Sequence, residues 1–178
     1  MKINQRGFSL IELMMTLALM SILLVLGIPS FQAVVKANRL IAANNDMIGS
    51  LNLSRSYAIK ENIRVTLCKS QDGVACADAG GWDQGWIVFT DQNNNAAYDV
   101  GGERLLLIQA QLGGGVAMVG DTQLEKYISY VPRGNTQLTS GAIQTGAIVT
   151  CDQGGGVGRR LRIAPTGRVQ AAKETGCS

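Results

Sequence analysis

Residues 6–30 read RGFSLIELMMTLALMSILLVLGIPS, and the placing of charge in this stretch decides the kind of chain it opens. From Phe8 to Ile28 the run is apolar apart from a few hydroxyls and one acid, Glu12. As a helix those 21 residues would be about 31 Å long, enough to cross a bilayer. A carboxylate in lipid is costly, so Glu12 is a functional candidate by default. The cations Lys2 and Arg6 come before the run, which predicts a cytoplasmic amino end and a body on the far side. A secretory signal has a shorter apolar core, followed by small residues at its cut. Here Gly7 precedes the apolar run, so a cut after it removes only the leader, residues 1–7, and leaves the membrane helix on the mature chain.

The rest of the composition narrows the function classes. The chain has 178 residues, which suits one domain plus a membrane segment. Only 16% are charged and 22 are glycine, which favours a turn-rich body of strands. Net charge is +3; without Lys2 and Arg6, 14 basic residues face 13 acidic ones. A nucleic-acid argument must therefore rest on a local patch. The chain has no histidine, so it cannot build a Ser-His-Asp or Cys-His site from its own residues. No nucleophile–base pair or metal constellation is visible, and neither enzyme activity nor a cofactor is expected. Cys68, Cys76, Cys151 and Cys177 lack the two close pairs of a zinc site. Behind a membrane-targeting segment they read as disulfides. Three pairings exist; Cys68–Cys76 and Cys151–Cys177 are favoured because each closes a local segment.

Pro29 lacks an N–H, so a break or kink is expected near Ile28. The helix then resumes over residues 31–62, with Val34, Ala37, Ile41, Asn44, Ile48, Leu51, Arg55 and Ala58 forming a seam toward the body. From Ile63 the pattern changes to alternation, with Ile63, Val65 and Leu67 inward and Arg64, Thr66 and Cys68 outward. Further strands are expected at Trp86–Thr90, Arg104–Gln109, Tyr127–Val131, Ala147–Cys151, Leu161–Ala164 and Gly167–Ala171. No long helical pattern separates them, so the sheets are expected to be antiparallel. VPRGN (131–135) and APTGR (164–168) each place Pro second and Gly fourth, as in a type I turn. The expected fold is α+β: a long kinked amino-terminal helix, membrane-spanning in residues 8–30, packed through 31–62 on a β-rich domain over 63–178, in the shape of a lollipop.

The opening motif RGFSLIELM resembles the prepilin signal of type IV pilins and type II secretion pseudopilins. The resemblance implies cleavage between Gly7 and Phe8 by a prepilin peptidase and N-methylation of Phe8. Glu12 matches the family's acidic fifth residue, implying an assembly contact with the new α-amine of a neighbour. Pro29 matches the proline that interrupts the family's helix. The body stretches SLNLSRSYAIKENIRVTLC, WDQGWIVFTDQNNN, YVPRGN and RIAPTGRV, with the late cysteine, resemble the GspH/FimT group of minor pilins and pseudopilins, nearer to its FimT/FimU members. Implied partners are other pilins or pseudopilins, the prepilin peptidase, an inner-membrane assembly platform and, before assembly, membrane lipid. The implied location is the inner membrane, single-pass with a periplasmic body, and then the fibre. A minor subunit of a type IV pilus is the leading expectation; the H pseudopilin of a type II secretion system is an alternative.

Three local features are further candidates. In DQNNNAAYDVGGE (91–103), Asp91, Asn93, Asn95 and Asp99 fall at the liganding spacing of a calcium loop. Ala96 replaces the loop's glycine and Glu103 falls one residue late, so a strand connection held by Asx turns competes with calcium. Residues 151–178 carry Arg159, Arg160, Arg162, Arg168 and Lys173 against Asp152 and Glu174, a cluster able to track phosphates. In the resembled group, DNA contact in natural transformation is implied by a Gly-Arg-x-Arg motif; here Gly167 and Arg168 are present but Gln170 replaces the second arginine. A DNA-binding pilin is thus another alternative, with Arg160 and Arg162 also readable as a strand's solvent face. Trp82, Trp86 and Tyr98 are read as packing rather than a base-stacking platform.

Overall fold

A computed structural model describes residues 8–177, with positions 26, 27, 29, 30 and 157 described by their backbone alone. The chain divides into two units between Asn38 and Arg39. Helix α1 runs Leu10–Glu61 without interruption. The break in the helix expected at Pro29 is therefore corrected: a proline removes one hydrogen bond, and the helical turns on either side remain bonded. Asn62 follows with φ 54°, the left-handed conformation that ends many helices.

In the second unit, the body, α1 buries Leu40, Ala43, Asn44, Met47, Ser50, Leu51, Ser54 and Ala58. The expected seam shared Asn44, Leu51 and Ala58 with this one. Elsewhere it ran one residue late, and Ile41 is exposed. The buried seam passes through serines, which an apolar pattern skips. Their hydroxyls donate to carbonyls four residues back, Ser54 to Ser50 at 2.8 Å and Ser50 to Asp46 at 2.9 Å. Ser50 also accepts the indole N–H of Trp86 at 2.9 Å, locking helix to sheet.

Eight strands follow: β1 Val65–Lys69, β2 Trp86–Thr90, β3 Leu105–Gln109, β4 Val116–Gly120, β5 Tyr127–Tyr130, β6 Gly146–Asp152, β7 Gly156–Ile163 and β8 Val169–Cys177. They form two antiparallel sheets, β3-β2-β1-β5 and β4-β6-β7-β8. The sequence reading missed β4, whose short VAMVG follows three glycines. It also began β7 at Leu161, where the strand starts at Gly156, and ended β8 at Ala171, where the strand runs to Cys177.

One core joins α1 to the inner faces of both sheets through Leu67, Trp86, Val88, Met118, Ile128, Ile148 and Leu161. A smaller core of Cys68, Ile87 and Phe89 lies on the other face of the first sheet, packed by Cys76, Tyr98, Leu105 and Tyr127. Every residue of β1 and β2 is consequently buried, and the half-buried alternation expected from Ile63 is corrected. Arg64, Thr66 and Cys68, placed outward by that pattern, are buried. The two proline turns close as expected, Gly134 N–H donating to Val131 and Gly167 N–H to Ala164, both at 2.8 Å. They also touch each other. A Cβ on Gly167 would lie 2.2 Å from the Gly134 carbonyl oxygen.

Candidate functional site

The amino-terminal candidates sit at the start of α1. Gly7 lies outside the described residues. Phe8 is 81% exposed, and Glu12 falls in the first helical turn, where the helix dipole favours a negative charge. From Leu10 to Phe31 the large apolar side chains Ile11, Leu13, Met14, Leu17, Leu19, Leu23 and Val25 are all exposed. These positions cover every side of the helix. Among the described residues, no helix is long and apolar enough to cross a membrane.

The disulfides pair as the spacing favoured, Cys68–Cys76 and Cys151–Cys177. The first closes the small core, and the second ties the end of β8 to β6. Gly158 runs beside this second bridge; a Cβ there would meet the Cys177 sulfur and the Thr150 carbonyl.

The basic cluster is divided by the pleat. Strand pairing sets Arg159 opposite Lys173, Arg160 opposite Ala172 and Arg162 opposite Gln170. Directly paired residues share a face and neighbours along a strand alternate, so Arg160 and Arg162 lie on one face and Arg159 and Lys173 on the other. Leu161 and Ile163 fill the core, which makes the Arg160–Arg162 face the outer one. There Arg160 is engaged by Glu174. That hydrogen bond is the main reason the Glu174 carboxyl is held below its ordinary value. Arg168 stands apart, at the turn into β8.

The 91–103 loop is closed on itself. The buried Asp91 carboxylate accepts from Thr66 Oγ1 at 2.8 Å, Asn95 N at 3.0 Å and Ala96 N at 3.2 Å. Asp99 accepts from the side-chain amides of Asn93 at 2.6 Å and Asn95 at 3.0 Å. Glu103 reaches back to Gln92 N and Asp99 N, and burial pushes its carboxyl up. Asn93 and Asn95 add Asx turns, their side-chain oxygens accepting from Asn95 N at 3.2 Å and Ala97 N at 2.8 Å, and the whole serves as a strand connection. Among the described residues, no cluster of three or more acidic, cysteine or histidine side chains could hold a metal. Trp82 and Trp86 are fully buried, Trp82 donating to the Leu124 carbonyl at 2.8 Å, and Tyr98 packs on Phe89 with centroids 5.4 Å apart.

A family model described as type II transport protein GspH matches residues 43–167. The chain belongs to the GspH family. A second model, the prokaryotic N-terminal methylation motif, matches residues 2–28. The fold of this GspH-family chain is that of the Pseudomonas aeruginosa (strain PAO1) type IV minor pilin FimU. One crystal form of FimU aligns at 16% identity over 77% of this chain and 90% of that one, with a TM-score of 0.55. A second crystal form aligns at 17% identity over 75% and 92%, with a TM-score of 0.52. No curated protein matches the chain. The GspH-family protein is thus of the minor pilin or pseudopilin type, and its family and fold are those of structural subunits. The family match stops at Gly167, so Arg168, Lys173 and the disulfide partner Cys177 lie beyond it.

Proposed function

We propose that this chain is a minor structural subunit of a type IV pilus that helps to initiate or assemble the fibre. The observation that carries this reading is a helix start that is apolar on all sides except for one acid, Glu12, within a methylation motif. The chain inserts across the inner membrane through residues 8–30, with its body in the periplasm. A prepilin peptidase cuts between Gly7 and Phe8, and Phe8 is N-methylated. The new amine then exists as a cation, with a reference pKa of about 8. Glu12 of one subunit pairs with that amine on the next as the helices leave lipid for the fibre. An ion pair in a low-dielectric bundle is favoured over an unpaired carboxylate. Adhesion, twitching and DNA uptake are the roles such a fibre serves.

The second reading is the H pseudopilin of a type II secretion system, favoured by the description of the family that matches the body. A deletion strain scored in parallel for piliation, protein secretion and transformation separates the two. Loss of pili with normal secretion supports the pilus reading, and loss of secretion with normal pili supports the other. Loss of transformation alone, with pili intact, would instead revive the DNA reading based on the carboxyl-terminal cations.

A further inference from the structure

Each sheet has two edge strands, β3 and β5 in the first and β4 and β8 in the second. Three of them are short, with five residues in β3 and β4 and four in β5. β8 has nine residues and no proline, and among the described residues only β7 pairs with it. An exposed edge of that length is a template for another strand unless it is blocked. The ladder to β7 fixes which backbone groups are open. The Ala164 N–H donates to the Arg168 carbonyl at 2.9 Å, and the pairing runs on in register to Gly158 opposite Glu174. Backbone groups alternate in direction along an antiparallel ladder, so Arg168, Gln170, Ala172 and Glu174 turn theirs toward β7. Val169, Ala171 and Lys173 turn their N–H and C=O groups to the open edge. Ala171, Ala172 and Lys173 are exposed, and the two small alanines leave room for a close approach.

We propose that β8 is a pairing edge for a second copy of this chain, the two β8 strands running antiparallel about Ala171. That register sets Ala171 against Ala171 and Val169 against Lys173 of the other copy, so the open N–H and C=O groups of both edges meet their complements. It also sets Arg168 opposite Glu174 of the other copy, twice by symmetry, in the non-hydrogen-bonded pairs where side chains lie closest. Arg168 is exposed. An ionised carboxylate has about four acceptor sites, so Arg160 on Glu174 Oε2 and the Gly176 N–H on Oε1 leave capacity for a second arginine. Neighbouring registers match less well. Centring on Lys173 opposes two ammonium groups, and centring on Ala172 sets Gly176 rather than Glu174 opposite Arg168. Charge complementarity thus commits the edge to its own copy. The pairing uses the body alone, so it holds whether the chain joins a pilus or a secretion fibre.

The test is amide hydrogen exchange along β8 in the full ¹⁵N-labelled chain, held in detergent micelles at rising protein-to-detergent ratio. Gln170, Ala172 and Glu174 should be protected by β7 at every ratio. Val169, Ala171 and Lys173 should exchange freely at the lowest ratio and slow as the ratio rises. Ala171→Pro removes an outward N–H and leaves the bonds to β7 in place, so it should abolish the slowing at Val169 and Lys173. Arg168→Glu sets carboxylate against carboxylate. It should need at least about tenfold more protein for the same slowing, the range of a lost hydrogen bond between charged groups. Arg168 is exposed, so this variant keeps the fold even where Ala171→Pro does not. Association through the apolar start of α1 would leave Val169, Ala171 and Lys173 unprotected, and that result overturns the proposal. No slowing at any ratio overturns it too, since the edge would then stay open or belong to a different partner. Slowing that persists in Ala171→Pro or is unchanged in Arg168→Glu overturns the register and with it the self-pairing.

Discussion

Replacing Gly167 with alanine tests whether the two proline turns form one structural joint. Gly167 has φ 74°, a conformation in which alanine costs about 1–2 kcal/mol. Its new Cβ would also lie 2.2 Å from the Gly134 carbonyl oxygen and 3.1 Å from Asn135 Cα, both backbone atoms that cannot rotate away. Relieving such an overlap costs roughly a further 1–3 kcal/mol. The same shift would disturb the 3.0 Å bond that Tyr130 Oη donates to the Gly167 carbonyl and the 3.2 Å bond from Arg55 to Thr166. Burial pushes the Tyr130 hydroxyl up to about 12, so it remains a donor at any physiological pH. A total near 4 kcal/mol would lower Tm by about 8–16 °C in a body of this size. Gly141 is the control: its φ is 85°, but a Cβ there meets nothing within 4 Å. Gly141→Ala should therefore cost only the backbone strain, about 1–2 kcal/mol. Thermal melts of both variants by near-ultraviolet circular dichroism, which reports the packing of Trp82 and Trp86, make the comparison. Equal destabilisation of the two would refute the joint.

Replacing Cys151 and Cys177 together with serine should cost about 3 kcal/mol, with β8 losing hydrogen-exchange protection before β6; uniform protection loss would contradict its reading as a pinned edge strand. Trp86→Phe should cost about 1–2 kcal/mol by removing the indole bond to Ser50, measured by urea denaturation. Acid should destabilise the body. Asp72 is held below its ordinary value first by the Val74 N–H, Asp78 by the Lys126 hydrogen bond and Glu174 by the Arg160 hydrogen bond. Carboxyls lowered in the folded state add stability above their unfolded values and lose it as pH falls through the folded ones, so Tm should drop below about pH 4. Glu103, raised by burial, acts oppositely, its contribution being lost as pH rises through its folded value. Melts of Glu174→Gln should show a shallower acid slope, and an unchanged slope would remove Glu174 from this account.

Much of the body could be read from local chemistry. Proline and glycine fixed both turns, and β2 was delimited to the residue because WIVFT is bounded by Gly85 and Asp91. The disulfide pairing followed from short spacing. What stayed hidden depends on neighbours far along the chain. Ser50 and Ser54 look like surface residues until the bond from Trp86 is seen. Arg64 and Thr66 look outward-facing until the loops at 70–81 and 91–103 cover the second face of β1. β4 is a five-residue apolar run without alternation behind three glycines, a pattern that does not by itself name a strand, and β8 runs on through QAAKETG because β7 and a disulfide hold it rather than its own side chains. The basic cluster looked continuous as a sequence, but alternation in two paired strands divides it.

Glu12 admits two physical roles, a charge that pairs with a neighbour's amine and an acid that suits the first turn of a helix. Substituting it with both alanine and glutamine in the native host separates them, because glutamine serves a helix start but carries no charge. The decisive measurement is the amount of mature chain in sheared fibres, set against that in the membrane fraction. Our account predicts that both variants are cleaved and held in the membrane yet are missing from the fibres. Wild-type levels of either variant in the fibres would contradict it.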